Sequence, residues 1–182
     1  MALNDFLRPL TEDDPRRLES FDCGEPQMNA FIRRRAWEQQ RNLINRTFLV
    51  LGDQPDVCPG FITLSAAHIE TDLTGLSRRA AVYTTAPATL IGRLATHVEF
   101  QRQGLARALL AAARVIGQTL PIGCRFLVLH VEAANRAAIS LYDSEGFRVP
   151  EGYEPEDGLL LMFYDLATRR PAGQAGLAFT GF

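Results

Sequence analysis

The chain has 182 residues, of which 47% are hydrophobic and 22% are charged, and its formal net charge at pH 7 is −2. This composition is typical of a globular protein with one sizeable core. The first residues lack a basic region followed by an apolar run, so we expect no signal peptide, and no apolar stretch is long enough to cross a membrane.

Three cysteines, Cys23, Cys58 and Cys124, are widely spaced and lie outside any C-x-x-C pattern. An odd number of isolated cysteines indicates reduced thiols rather than disulfides or the ligands of a metal. The sequence therefore predicts a cytoplasmic protein without a metal site.

The positive charge comes from arginine alone and is unevenly distributed. Residues 26–136 contain thirteen arginines against seven acidic residues, whereas residues 1–25 and 137–182 each contain three arginines against seven. The simplest explanation for the use of arginine alone is a GC-rich genome. The absence of lysine nevertheless gives every basic site the planar set of donors that suits phosphate.

The apolar periodicity predicts the following elements in chain order. Pro26 suits the first turn of a helix, and Met28, Phe31, Ile32 and Ala36 form its apolar stripe. Strands are predicted at residues 6–10, 47–51, 60–67, 90–98, 124–131 and 159–164, a turn at 52–56, loops at 71–79 and 152–157, and a mobile tail from residue 167.

A strand, a turn with Gly104 and a helix follow one another between Leu90 and Ala113. The first amide groups of a helix have no partner within it, and a glycine lets an anion approach them closely. The turn matches neither the dinucleotide fingerprint nor the P-loop. The turn therefore predicts either another kind of anion site or a plain turn before a core helix. Arg107 and Arg114 lie outside the apolar stripe of that helix.

Two motifs in this order resemble the GCN5-related N-acetyltransferase (GNAT) family. The turn, Gln101-x-x-Gly104-x-Ala106, is similar to the family's Q/R-x-x-G-x-G/A loop, which grips the pyrophosphate of coenzyme A. After the next strand, the segment from Asn135 to Phe147 is similar to N-x-x-A-x-x-x-Y-x-x-x-G-F, with Tyr142 at the tyrosine. The alternatives are an ordinary N-cap and an ordinary core aromatic.

The opening segment from Phe21 to Arg33, then Asn45–Val50 and the G-R-L-A of Gly92–Ala95, resemble one branch of that family. The branch includes toxins of bacterial toxin–antitoxin pairs that acetylate the α-amino group of aminoacyl-tRNA. The resemblance covers residues 6–166. Two features depart from it: the toxins are basic, whereas this chain is slightly acidic, and His97 stands where they often have Asp.

The resemblance implies an α/β (α+β) GNAT fold. Its centre is a mixed, largely antiparallel sheet of about six or seven strands, with a splayed parallel pair, flanked by helices. Residues 1–166 would form a single N-acetyltransferase domain, followed by the tail at 167–182.

The resemblance also implies the site residues. The acyl donor is acetyl-CoA, held by Leu94, Ala95, Thr96, Gln101, Arg102, Gln103, Gly104, Leu105, Ala106, Arg107, Asn135 and Tyr142. Tyr142 would protonate the sulfur, and His97 or Glu99 could deprotonate the amine. An RNA acceptor would meet Arg33, Arg34, Arg35, Arg41, Arg46, Arg78, Arg79 and Arg93.

The sequence leaves three functions open. The first is acetyl transfer to aminoacyl-tRNA, with a small ribbon-helix-helix antitoxin as partner and a homodimer left open. The second is acetyl transfer to a small-molecule amine, a protein N-terminus or a lysine, with the arginines merely solvated. The third is a non-catalytic module that binds acyl-CoA, or an operator together with an antitoxin.

Overall fold

A six-stranded sheet runs through the computed structural model, which describes residues 6–14, 18–52, 57–76 and 83–168. The strands follow one another across the sheet in chain order. They are β1 (Leu7–Pro9), β2 (Arg46–Val50), β3 (Gly60–Glu70), β4 (Thr85–Thr96), β5 (Phe126–Glu132) and β6 (Leu159–Asp165). The described ranges contain α1 (Pro26–Arg34), α2 (Ala36–Arg41), α3 (Leu105–Thr119) and α4 (Arg136–Ser144), with 3-10 turns at Thr71–Leu73 and Val98–Phe100.

The sheet is mixed, as expected. Strand β2 pairs antiparallel with both β1 and β3, and β5 pairs antiparallel with β6 along its whole length. Strands β4 and β5 are parallel, with Ala88 opposite Phe126 and Leu90 opposite Val128. The predicted mixed sheet with a parallel pair and flanking helices is thus confirmed, and the splaying of that pair stays a prediction.

The described residues fall into two compact units, each with its own core. The first unit contains the chain up to Ser65 together with Gly92–Ala112. Its centre is aromatic: the ring centroid of Phe61 lies 5.4 Å from that of Phe21 and 6.1 Å from that of Phe31. The buried members of this cluster are Leu10, Leu18, Phe21, Cys23, Phe31, Ile32, Ala36, Leu49, Phe61 and Ala95.

The second unit contains Ala66–Ile91 and the described residues from Ala113 onward. Its core is centred on strands β4 to β6, where the rings of Phe126 and Phe163 meet edge to face at 5.7 Å. Such pairs add to the gain from burying the rings. The buried members of this cluster are Ile69, Ala86, Ala88, Phe126, Val128, Leu161 and Phe163.

The helix predicted from Pro26 is interrupted at Arg35, so the expectation of one continuous helix was wrong. Arg35 has φ −113° and ψ −27°, which ends α1 and begins α2. The break keeps Ala36 buried while it directs Gln40 toward the sheet. There the Gln40 amide donates to Leu10 O over 2.6 Å and accepts from Thr47 N–H over 3.0 Å.

Strand β4 is longer at its start and shorter at its end than predicted. It begins at Thr85, because the small Ala86 and Ala88 are buried in the second unit's core although they give a weak strand signal. It ends at Thr96, where a 3-10 turn over Val98–Phe100 replaces the predicted strand end. The remaining strands lie within three residues of their predicted bounds.

Three sequence expectations fall partly outside the described residues. The turn at 53–56, the loop residues 77–79 and the tail from residue 169 lie there. In the described part of the polar loop, Thr71–Leu73 forms a 3-10 turn. Among the described helices, none has the length and apolar character that crossing a membrane requires.

Gly60 lies against the backbone of β4 with no room for a side chain, which yields a stability prediction. A Cβ on Gly60 would lie 2.8 Å from the carbonyl oxygen of Ala95, whereas a Cβ on Gly123 would meet nothing within 4 Å. We expect Gly60→Ala to lower the free energy of unfolding by about 1–3 kcal/mol through overpacking.

Urea unfolding measures this effect. The matched control, Gly123→Ala, should stay within about 0.5 kcal/mol of wild type. Equal stability of the two variants would show that the strands move apart without cost.

Candidate active site

The turn before α3 has the backbone form of an anion site. Arg102 and Gly104 both have positive φ, 61° and 85° respectively. The carbonyl of Gly104 accepts the first helical hydrogen bond, from Ala108 N–H over 3.1 Å. A Cβ on Gly104 would meet no protein atom within 4 Å, so the space beside this backbone is open. Left-handed residues next to a helix N-terminus direct successive N–H groups at one concavity.

Two glutamine side chains hold this turn in place. The Gln101 amide donates to Cys23 O over 3.0 Å and to Thr96 O over 3.2 Å. The Gln103 amide donates to Glu99 O over 2.8 Å. In this structure, therefore, both side chains fix the backbone whose N–H groups begin the helix.

The end of β4 leads directly into the turn. Ala95 is buried in the first unit's core, whereas Leu94 and Thr96 are half-buried. His97 N–H donates to Pro59 O over 2.9 Å, which holds the chain as it leaves the strand. The N-terminal side of α3 adds half-buried Leu105 and Ala106 and exposed Arg107.

His97 and Glu99 are linked to each other by a turn. The imidazole Nδ1 accepts a hydrogen bond from Glu99 N–H over 3.3 Å and so caps the 3-10 turn. The ring contacts Phe21 and Phe100 edge-on, at 5.7 and 6.1 Å between centroids. A neutral imidazole that accepts at Nδ1 carries its proton on Nε2. In this arrangement His97 presents a donor, while the side chain of Glu99 is exposed.

Helix α4, in the second unit, carries the other two predicted residues. Asn135 is its N-cap, and the side-chain oxygen accepts from Ala138 N–H over 3.0 Å. This is the capping role that the sequence allowed. The side chain is exposed, so a ligand can reach its NH₂ group.

Tyr142 lies near the end of α4 with its ring half-buried. The ring contacts Phe147 at 5.9 Å between centroids, and burial raises the pKa of the phenol. No described residue forms a hydrogen bond with its hydroxyl. The group is therefore a protonated, available donor at neutral pH.

An ion pair that the sequence did not indicate fixes the end of this helix. The Arg114 guanidinium donates to the Glu145 carboxylate over 2.8 Å and to the Glu145 carbonyl over 3.2 Å. The sequence places Arg114 outside the apolar stripe of α3, yet the residue is only 6% exposed. A cation at a helix C-terminus also interacts favourably with the helix dipole. Glu145 follows Tyr142 by three residues, so the pair fixes the backbone that carries the phenol.

The predicted RNA-facing arginines do not form one uniform set. Arg33 donates to the carbonyl of Phe21 over 2.5 Å and so has a structural contact. Arg93 lies with its guanidinium carbon 4.0 Å from the ring centroid of Phe31. The exposed members within the described residues are Arg34, Arg35, Arg41 and Arg46, and Arg78 and Arg79 lie outside those residues.

The family model of the GNAT acetyltransferases matches residues 13–147, and the chain belongs to that family. The protein is therefore an acyltransferase enzyme, as the sequence motifs predicted. The strand, turn and helix around Gly104 and the helix with Tyr142 both lie within the matched range.

Among solved structures, toxins of toxin–antitoxin pairs are similar to this chain. AtaT complexed with acetyl-methionyl-tRNAfMet is 28% identical, with 87% of this chain and 93% of that chain covered and a TM-score of 0.73. A tyrosine-to-phenylalanine variant of AtaT, bound to the C-terminus of the antitoxin AtaR and acetyl-CoA, is 26% identical, with 88% and 92% covered and a TM-score of 0.69. A tyrosine-to-phenylalanine variant of KacT, at 24% identity, 88% and 94% coverage and a TM-score of 0.74, shares the fold.

Proposed function

We propose that this protein transfers the acetyl group of acetyl-CoA to the α-amino group of aminoacyl-tRNA. The observation that carries the proposal is the similarity to AtaT, which is known in complex with acetyl-methionyl-tRNAfMet, over most of both chains.

We propose that residues 1–166 act as one N-acetyltransferase domain. The family match over 13–147 supports this, because it includes parts of both units.

The turn before α3 fits the pyrophosphate of coenzyme A. Backbone N–H groups from Arg102 to Arg107 are the proposed donors, and the open space beside Gly104 admits a phosphate close to them. The hydrogen bonds of Gln101 hold this backbone in advance, which reduces the ordering cost of binding. Backbone groups of Leu94, Ala95 and Thr96 are the proposed contacts of the pantetheine arm and the acetyl oxygen, with Asn135 as a further contact of the arm.

Acetyl-CoA supplies an acetyl thioester to the reaction. When the amine nitrogen bonds to the acetyl carbon and the carbon–sulfur bond breaks, the leaving thiolate needs a proton. Tyr142 is the proposed acid, because its phenol is protonated and available. The ion pair of Arg114 and Glu145 secures the end of the helix and so holds the backbone that carries the phenol.

The acceptor amine needs little help to lose its proton. An α-amino group has a pKa of about 8, so a substantial neutral fraction exists at pH 7. His97 holds its Nδ1 lone pair in the cap of the 3-10 turn, which leaves Glu99 as the better placed of the two predicted bases. Either group would act through water at most.

The partners follow from the same similarity. AtaT is known with the C-terminus of its antitoxin AtaR, and we propose a small antitoxin as the partner of this chain. The proposed compartment is the cytoplasm, where aminoacyl-tRNA is found. The exposed arginines of α1, α2 and β2 are the proposed contacts of RNA phosphates, which supply most of the sequence-independent affinity for RNA.

A transfer assay with radiolabelled acetyl-CoA tests the acceptor. Bulk aminoacyl-tRNA is run beside a panel of small amines and peptides. Label on the aminoacyl-tRNA is the expected result. Label on the small acceptors alone would overturn the tRNA proposal and favour a small-molecule or peptide acetyltransferase.

The anion site yields a prediction with a matched control. Gly104→Glu places a carboxylate beside the proposed pyrophosphate donors and should weaken acetyl-CoA binding by about tenfold or more, which corresponds to the loss of one charge-assisted hydrogen bond. Gly75 also has positive φ, 69°, and open space at its Cβ position. Gly75→Glu therefore carries similar backbone strain.

Calorimetry with acetyl-CoA compares the two variants. We expect wild-type affinity for Gly75→Glu and weakened affinity for Gly104→Glu. Equal affinities would place the pyrophosphate elsewhere.

Tyr142 yields a prediction about rate and pH. Tyr142→Phe removes the hydroxyl and should lower the turnover number by roughly 10²–10⁴-fold, the usual range for general acid catalysis, while acetyl-CoA still binds. Because burial raises the pKa above its ordinary value of about 10, the phenol stays protonated between pH 7 and about pH 9.

The ratio of wild-type to variant turnover should therefore be constant over that range and should fall only at higher pH. Turnover measured at saturating acetyl-CoA checks both points. A ratio that declines below pH 9 would mean that another group donates the proton.

A further inference from the structure

Arg93 occupies an unusual position for a cation in the first unit. Its guanidinium carbon lies over the Phe31 ring, 4.0 Å from the ring centroid, and the residue is half-buried. Contact with an aromatic face stabilises a guanidinium and restricts its movement. The N–H donors of Arg93 are therefore held close to the Phe31 ring.

These donors have no partner within the described chain. Arg93 forms no hydrogen bond or ion pair with a described residue, and neither does the side chain of Arg35. Arg35 follows Phe31 by four residues, which places both side chains on the same side of the helical turn. Burial lowers the pKa of Arg93, and the charge of Arg35 lowers it further.

The charges of Arg35 and Arg93 act on one another, and an anion that joins two such cations relieves their repulsion. Other arginines of the chain have found protein acceptors: Arg114 and Arg125 form ion pairs with Glu145 and Asp165. Arg33 donates to a backbone carbonyl. Arg93 is thus the member of the arginine set that lies on an aromatic ring with its donors unused, and Arg35 is the cation whose charge acts on it.

We propose that Arg93 and Arg35 together bind one backbone phosphate of the RNA acceptor, and the inference rests on the proposed tRNA function. The fork of Arg93 gives the bidentate geometry that phosphate oxygens accept. Arg35, exposed at the break between α1 and α2, supplies the second charge from the solvent side. The remaining exposed arginines then add affinity for the RNA without fixing the position of its aminoacylated end.

The test compares acceptors with and without phosphate. Methionyl-tRNA carries backbone phosphates next to its aminoacyl adenosine, whereas 3′-O-methionyl-adenosine carries none. The variants are Arg93→Lys, which keeps the charge but loses the fork, and Arg35→Ala. Arg148→Lys is the matched control, because Arg148 also stacks on a phenylalanine, at 4.7 Å from the Phe163 centroid, while it donates to Thr74 O.

We expect Arg93→Lys and Arg35→Ala to raise KM for methionyl-tRNA by about 10- to 100-fold, the range for a lost charge-assisted hydrogen bond, with kcat little changed. The KM values for methionyl-adenosine and acetyl-CoA should stay at the wild-type value. The salt dependence of tRNA binding should lose about 0.7 of its logarithmic slope in Arg35→Ala, which removes one charge, and should keep its slope in Arg93→Lys, which retains the charge. Arg148→Lys should match wild type throughout.

Several results would overturn the inference. A KM for methionyl-tRNA no higher than that of Arg148→Lys would show that no phosphate binds there. A raised KM for acetyl-CoA would show that the two arginines bind a phosphate of the cofactor. An equal rise in KM for methionyl-adenosine would show that they maintain the shape of the acceptor site and bind no phosphate of the RNA. If the wild-type protein acetylates methionyl-adenosine but never methionyl-tRNA, the proposed function itself fails.

Discussion

The side-chain amide of Gln101 is the constraint on which the first unit's site depends. One NH₂ group donates to two carbonyls, at Cys23 and at Thr96, which lie far apart in the chain. It thereby ties the opening segment and the end of β4 to the turn that begins α3. A helix N-terminus binds anions well only when its first N–H groups are held in advance, since ordering them on binding would cost free energy. The left-handed backbone at Arg102 and Gly104 is then maintained by its surroundings.

Much of the fold could be predicted because its signals are local. A glycine before an apolar helix, an asparagine at an N-cap and runs of buried β-formers each depend on neighbouring residues. The turn at Gly104 and strands β5 and β6 were predicted in this way, and the cap at Asn135 was an alternative that the sequence left open. The two family motifs gave the order of these elements, and with it the parallel pairing of β4 and β5.

The features that could not be predicted depend on residues distant in the chain. Nothing near Arg114 indicates that Glu145 will meet it, or that Arg93 will stack on Phe31. The start of β4 at Thr85 depends on the core that receives Ala86 and Ala88, because alanine alone is a poor strand former. The helix break at Arg35 likewise follows from the contacts of Gln40 with Leu10 and Thr47, not from a proline or glycine.

The guanidinium of Arg93 also illustrates how the enzyme avoids acetylating its own side chains. An acetyl thioester reacts with any neutral amine held near it, and lysine side chains close to such a donor are exposed to self-modification. A guanidinium stays protonated at all accessible pH values and is not a nucleophile. With arginine at every basic position and no lysine in 182 residues, the side chains of this protein keep their charge through repeated turnovers. Its electrostatic surface is therefore beyond the reach of lysine acetylation, whether by itself or by other acetyltransferases.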